Sequence, residues 1–193
     1  MSASAAFDYI RKTTIRVSTR AIVASLLLGI ASDLVGQIAE RTDTAFFAGS
    51  AVPFGYVNAS IWMTVTCILF GPIGGIIEGL TQGTLSLLTA TSPLAAYFIL
   101  WNFIMAGMTG LFAVATQPLR PGRSGLIRQI AVGEFMNFAT TPVWSVHLLY
   151  FLLGVPFYAW LSAYVFYVAI GAVPIPLLSI VILRAVLKSR ALQ

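Results

Sequence analysis

Apolar residues run along most of this chain in long stretches, which short polar, glycine- or proline-containing segments interrupt. A membrane-spanning helix needs about 20 mostly apolar residues. Six stretches come close to this length, at residues 21–39, 51–70, 73–90, 94–117, 129–153 and 160–187. The pattern therefore predicts an all-α polytopic membrane protein, in which residues 1–20 precede a single six-helix membrane domain formed by residues 21–193.

The composition agrees with a membrane domain and narrows the chemistry. Hydrophobic residues make up 59% of the chain and charged residues only 9%, whereas soluble domains carry about 25% charged residues. The single cysteine, Cys67, excludes an internal disulfide, and one His with one Cys cannot assemble a typical metal cluster. We therefore expect neither a cofactor nor a bound metal.

The positive charges indicate how the spans are oriented. If the six spans alternate across the bilayer, ten of the eleven Lys and Arg residues fall on one side, and Arg41 is alone on the other. These ten are Arg11, Lys12, Arg16, Arg20, Arg120, Arg123, Arg128, Arg184, Lys188 and Arg190. Basic loops stay in the cytoplasm, so both termini are predicted to be cytoplasmic in a multi-pass protein of the cell membrane.

The basic segment before the first span has two interpretations. Residues 7–21, FDYIRKTTIRVSTRA, mix apolar and basic side chains. Such a segment can lie along the membrane surface as a short amphipathic helix. Alternatively, it is a solvated basic arm that only sets the topology.

Glycine recurs at every fourth position in FGPIGGIIEGLTQG, residues 70–83. Gly71 and Pro72 predict a tight turn, and Gly75, Gly79 and Gly83 lie on one helix face. Without Cβ atoms, such a face lets a neighbouring membrane helix approach closely. The glycines therefore indicate helix packing, as do Ala106, Gly107 and Gly110 in the fourth span.

The first span carries a second stripe of small residues, Ala21, Ser25 and Gly29, which continues to Asp33. It either packs within the chain or forms a docking face for another membrane subunit.

Two glutamates lie inside predicted spans, and each has a functional and a structural interpretation. Glu78 shares a helix face with Gly74, Gln82 and Ser86, and Glu134 begins a polar face in the fifth span. A carboxyl in the hydrocarbon region is costly unless it is paired, protonated or facing a polar cavity. Glu78 is either part of a substrate pocket or coupling element, or it makes a structural hydrogen bond. Gln82 is better placed for a ligand.

Aromatic and polar residues crowd the predicted outer half, where a small-molecule pocket needs apolar walls with a few placed polar groups. The candidate substrate-binding residues are Gln82, Tyr97, Trp101, Asn102, Trp144, His147, Tyr158 and Tyr164. The alternative for many of the aromatics is a plain interfacial belt. The first outer segment, residues 40–53, is a candidate lid, with Glu40, Arg41 and Asp43 at its rim.

The chain resembles the substrate-binding S components of energy-coupling factor (ECF) transporters. The resemblance is carried by RAIVASLLLGIA (residues 20–31), by FGPIGGIIEG (70–79) and by VPIPLLSIVILRAVLKSR (173–190). It implies an ABC-type importer component that captures a vitamin or related micronutrient from outside. It also implies a membrane T component and two cytoplasmic ATPases as partners, and a toppling motion that releases the cargo.

The resemblance also has consequences for single positions. The family's Ala-xxx-Ala coupling pattern matches Ala21 and Ser25, with serine in place of the second alanine. The nickel and cobalt branch begins with Met-His, whereas this chain begins with Met-Ser, which excludes metal as cargo. The chain has no phosphate loop, so it is not expected to be an enzyme, and ATP hydrolysis would belong to its partners. Aromatic walls suggest a heteroaromatic cargo.

A function of another class is compatible with the same residues. In this alternative the chain is a non-catalytic structural subunit of a larger membrane complex, and the glycine stripes are its contact surfaces. An intramembrane enzyme is disfavoured because Glu78, Glu134 and His147 fit no catalytic motif.

Overall fold

The computed structural model describes residues 18–47, 53–89, 95–145, 154 and 156–188. This part of the chain consists of helices and their connections, which confirms the predicted all-α class for it. The helices are α1 (Thr19–Phe47), α2 (Pro53–Leu88), α3 (Ala95–Thr116), α4 (Arg123–Ser145), α5 (Phe157–Gly171) and α6 (Pro174–Lys188). Residues 1–17, which hold most of the predicted basic segment, lie outside the described residues.

Four helical stretches in the described part are long and apolar enough to cross a membrane. They are Thr19–Phe46 in α1, the whole of α2, Ile99–Thr116 in α3, and Phe157–Lys188, which covers α5 and α6. Most of their exposed side chains are large and apolar, including Leu27, Leu34 and Ile38 on α1. Such a surface suits contact with lipid, so the described helices are compatible with a membrane protein.

Helix α2 folds back on itself at Gly71. This residue has φ +69° and ψ −161°, a conformation that is essentially restricted to glycine. A Cβ placed on Gly79 would lie 3.3 Å from Met63 Sδ, although 16 residues of straight helix would separate the two residues by about 24 Å. The predicted turn at Gly71 and Pro72 is therefore confirmed. It divides α2 into a first arm (53–70) and a second arm (72–88).

Helix α1 is longer than predicted, and this corrects the lid hypothesis. Residues 40–47 continue the helix, and Asp43 is fully buried. Its carboxylate accepts hydrogen bonds from the backbone N–H groups of Phe54 (3.0 Å) and Gly55 (2.8 Å). The first N–H groups of a helix have no partner within the helix, so Asp43 caps the first arm of α2. Residues 40–47 are therefore not a lid.

Replacing Asp43 with alanine is expected to destabilise the fold by about 1–2 kcal/mol, because two N–H groups at the start of α2 lose their acceptor. The melting temperature of the purified protein in detergent measures the change. Thr44→Ala is the matched control, since Thr44 is exposed and its hydroxyl donates to the Glu40 carbonyl of its own helix. Equal melting temperatures for the two variants would contradict the capping role.

Of the remaining spans, one has the predicted bounds and two do not. Helix α3 agrees with the predicted 94–117 within one residue at each end, whereas α4 begins at Arg123, ahead of the predicted start at residue 129. The predicted span 160–187 is interrupted at Ala172 and Val173. Pro174 and Pro176 follow the interruption, and a proline has no N–H to donate within a helix.

The hairpin α2 lies at the centre of the molecule, with α1 on one side and α3 on the other. Each of these helices has its most extensive contacts with α2. The buried core includes Met63 of the first arm, Met105 of α3, Met136 of α4 and Ile175 of α6. The arrangement brings polar residues of α1, α2 and α3 into contact inside an apolar bundle.

Candidate functional site

Five polar side chains form a continuous row of hydrogen bonds across α1, α2 and α3. On α1, Gln37 Nε2 donates to Asp33 Oδ2 (2.8 Å). Ser86 Oγ donates to Asp33 Oδ1 (3.0 Å), and Gln82 Nε2 approaches Ser86 Oγ at 3.5 Å. Asn102 of α3 donates through Nδ2 to Gln82 Oε1. We call these five residues the polar row.

The spacing of the polar row follows from helix geometry. Asp33 and Gln37 are four residues apart on α1, and Gln82 and Ser86 are four apart on α2, so each pair lies on one helix face. Asp33, Gln82, Ser86 and Asn102 are all buried. Buried polar groups cost free energy unless they are hydrogen-bonded, so the row holds the three helices in register.

At the Asn102 end of the polar row, two side chains have hydrogen-bonding atoms that the described residues do not fully satisfy. Asn102 is 1% exposed and also donates from Nδ2 to the Gly79 carbonyl oxygen (2.9 Å). Its Oδ1 accepts no hydrogen bond from any residue that the structure describes. Within the part of the chain that the structure describes, Gln82 Nε2 makes one long contact, with Ser86 Oγ at 3.5 Å. An acceptor and a weakly bonded donor thus belong to two amides that bond to each other, and such groups can bind the polar edge of a small molecule.

Aromatic rings flank this end of the row. Trp101, the neighbour of Asn102, is buried with its ring centroid 6.2 Å from that of Tyr56. Tyr167 of α5 packs edge-on against Tyr56 at 5.4 Å. Tyr56 Oη donates to Asn137 Oδ1 (2.8 Å), which ties the rings to α4. The result is an aromatic cluster (Tyr56, Trp101 and Tyr167) that is connected to Asn102 through its neighbour in the chain, Trp101.

The predicted substrate-binding residues fall into three groups. Gln82 and Asn102 bond to each other, Trp101 precedes Asn102 on α3, and Tyr97 packs half-buried against the core that contains Trp101. Tyr158 is 81% exposed, and Tyr164 stacks on Trp160 at 5.9 Å. The third group is Trp144, whose side chain is not described, and His147, which lies outside the described residues.

The small-residue stripe of α1 is covered by the second arm of α2. A Cβ on Gly29 would lie 2.8 Å from the Glu78 carbonyl oxygen, and Ser25 Oγ lies 3.1 Å from the Cβ position of Gly74. Ala21, the first residue of the stripe, is half-buried and borders a cavity described below. At Ser25 and Gly29, the geometry is that of packing within the chain.

The glycine stripe of α2 faces the first arm and α3. The Cβ position of Gly75 contacts Cys67, and that of Gly79 lies 3.1 Å from Asn102 Cβ. At Gly83 the nearest atom is Ile99 Cα, at 3.1 Å. The missing side chains therefore let α3 approach closely enough for Asn102 to reach Gln82.

Sequence reasoning overlooked several members of the site. The sequence places Asp33 and Ser86 on helix faces with small or polar residues but does not indicate that they share a site, and it does not link Tyr56 to Asn137. A signal was present for Asp33, because an aspartate within a predicted span is rare and is retained only with partners. No sequence signal pairs Tyr56 with Asn137, which are 81 residues apart.

An open cavity of about 900 Å³ lies at the turn of the α2 hairpin. Its lining comes from the start of α1, from the turn, from the connection between α3 and α4, and from the end of α6. Representative residues are Ser18, Arg20, Gly71, Arg120 and Leu187. Gln82 lies eleven residues along the second arm from Gly71, so the polar row is remote from this cavity.

Comparison with protein-family models, with curated proteins and with solved structures gives no match to this chain. The resemblance to S components therefore stays a prediction that depends on the three sequence stretches named above.

Proposed function

We propose that this chain crosses the cell membrane six times and has both termini in the cytoplasm. The arms of α2 supply two antiparallel spans, and α5 with α6 supplies one interrupted span. The cavity supports this topology, because the chain positions that line it are separated by pairs of predicted spans. Arg20, Arg120 and Lys188 belong to the same end, and basic residues favour the cytoplasmic side.

Within this topology, we propose that the chain is the substrate-binding component of an ECF-type importer. The observation that carries the proposal is the buried Oδ1 acceptor of Asn102, to which no described residue donates, in an amide that bonds to Gln82, with Trp101 preceding Asn102 on α3. These groups belong to the predicted outer half, where a solute arrives. A membrane T component and two cytoplasmic ATPases would supply the coupling and the ATP hydrolysis.

The same groups narrow the class of solute. The Asn102 oxygen accepts a hydrogen bond and the Gln82 nitrogen donates one, which complements a ring carrying an N–H beside an acceptor. Trp101 and Tyr56 provide flat apolar surfaces, and aromatic rings favour offset or edge-on contacts with other rings. A small, uncharged heteroaromatic micronutrient, such as a vitamin or a vitamin precursor, fits these properties.

Native mass spectrometry of the detergent-purified chain tests the proposal. We expect one small molecule per chain, which tandem mass spectrometry of the released species identifies. The melting temperature is then measured with each member of a panel of vitamins and precursors. We expect the compound identified by mass spectrometry to raise it, since a ligand that binds only the folded state stabilises that state.

Two results together would overturn the proposal. One is a chain that is empty and does not respond to the panel. The other is an unrelated membrane subunit that co-purifies at fixed stoichiometry, which would favour the structural-subunit alternative.

A further inference from the structure

When the two arms of α2 cross a bilayer, the cavity at their turn lies at its surface. Each arm is roughly 25 Å long, which is close to the hydrocarbon thickness of about 30 Å. The turn at Gly71 is therefore at the level of the lipid headgroups. The cavity volume of about 900 Å³ falls within the range of about 300–1,000 Å³ that is typical of ligand sites.

Two arginines from different parts of the chain line this cavity. Arg20 lies in the first turn of α1, which Ser18 caps by accepting a hydrogen bond from the Ala21 N–H at 3.1 Å. Arg120 lies in the connection between α3 and α4, and both arginines are exposed. Among the residues that the structure describes, the lining contains no Asp or Glu. Such a lining favours an anion, and the planar guanidinium group matches the geometry of a phosphate.

The connection that carries Arg120 is held in place by α4. Arg128 Nη1 donates to the carbonyl oxygen of Thr116 at 2.8 Å, and Gln129 Nε2 donates to that of Pro118 at 2.9 Å. The backbone of the connection is thus fixed on the side that precedes Arg120. A site whose backbone is already ordered loses less conformational entropy when a ligand binds.

The rest of the lining includes large apolar side chains. Leu69 and Phe70 at the end of the first arm are half-buried, Val114 of α3 is buried, and Leu187 of α6 is exposed. Apolar walls next to a cationic site suit a molecule that carries hydrocarbon beside its negative charge. A phospholipid has this character, whereas a soluble inorganic anion has no part that would contact such walls.

We propose that the cavity binds an anionic phospholipid, with the phosphate at Arg20 and Arg120 and the acyl chains against the apolar walls. Basic pockets between membrane helices bind anionic headgroups on the cytoplasmic side, and the proposed topology places this cavity there. The inference rests on that topology. It does not depend on the proposed solute site, because the polar row is remote from the cavity.

Native mass spectrometry of the full chain in detergent tests the lipid site. Dioleoylphosphatidylglycerol and dioleoylphosphatidylcholine are added separately at equal concentration, since they share their acyl chains and a phosphate but differ in net charge. We expect one phosphatidylglycerol to be retained per chain, and phosphatidylcholine to be retained about tenfold less.

Variants assign the lipid to the two arginines. Arg20→Gln and Arg120→Gln are each expected to reduce the retained phosphatidylglycerol by about tenfold, because each removes a charge-assisted contact with the phosphate. Arg123→Gln is the matched control and keeps the lipid. It removes the same charge at the same end of the molecule, but Arg123 is exposed and does not line the cavity. The melting temperature of each variant shows whether it folds, and if one cavity variant does not fold, the other decides.

Equal retention of the two lipids by the parent would overturn the proposal, and so would equal losses in Arg120→Gln and Arg123→Gln. Sodium phosphate distinguishes the two sources of a phosphate group. If millimolar inorganic phosphate displaced phosphatidylglycerol, the cavity would be a site for a soluble anion and the lipid assignment would be wrong. No micronutrient is added in these measurements, so their outcome is independent of the test of solute binding.

Discussion

Replacing Gly110 with alanine is expected to destabilise the protein by about 3 kcal/mol, or about 9 °C in melting temperature. Gly110 is where α3 crosses the turn of the α2 hairpin. An added Cβ would overlap the backbone of Pro72 and would lie 2.9 Å from the Gly71 carbonyl carbon. Backbone atoms cannot rotate away as a side chain does, so α3 has to move outward.

Gly107 provides a control on the same helix. The nearest atom to its Cβ position is Ile76 Cδ1 at 3.8 Å, an ordinary contact. Gly107→Ala is therefore expected to leave the stability unchanged or to raise it by up to about 1 kcal/mol, which is the advantage of alanine over glycine in a helix interior. Equal losses in the two variants would show that α3 does not cross the hairpin turn as described.

These two glycines also show where sequence reasoning ends. Both lie in one apolar span, three residues apart, and both were predicted to serve packing. Their difference arises from the crossing point of α3 and α2, which depends on contacts between distant parts of the chain. A sequence pattern gives the face of a helix, but it does not give the point at which another backbone touches that face.

The turn at Gly71 was predictable because its cause is local. A glycine before a proline, between two apolar stretches that each approach the length of a span, leaves few conformations for the chain. The extension of α1 through residues 40–47 was not predictable in the same way. The sequence there suggests a polar loop, because it contains Glu40, Arg41 and Asp43. Asp43 is nevertheless buried, since its carboxylate accepts hydrogen bonds from the first backbone N–H groups of α2.

Part of the candidate site was predictable, because a polar side chain inside an apolar span is conspicuous in the sequence. Gln82 and Asn102 stand out as amides within predicted spans, where each polar side chain needs a partner. That they bond to each other depends on the close approach of α3 to Gly79 and Gly83. For Tyr158 and Tyr164 the only sequence signal is aromatic character, which interfacial residues share, and Tyr158 is largely exposed.

Replacing Asn102 with alanine is expected to weaken binding of the retained solute by about thirtyfold, or about 2 kcal/mol. The substitution removes the free Oδ1 acceptor and the donor that holds the Gln82 carbonyl in place. Titration of the identified solute, followed by intrinsic tryptophan fluorescence, measures Kd. Trp101 lies next to the site, so its emission is expected to respond to the bound ring.

Thr109→Ala is the control that separates a lost contact from a loosened helix. Thr109 is buried on the same helix, two turns from Asn102, and its hydroxyl contacts Met136 Sδ at 3.6 Å. Both variants remove a buried polar contact of α3, but only Asn102→Ala removes one at the proposed site. If both variants lost affinity equally, the solute would be sensing the packing of α3, and the assignment of Asn102 as its hydrogen-bond acceptor would be wrong.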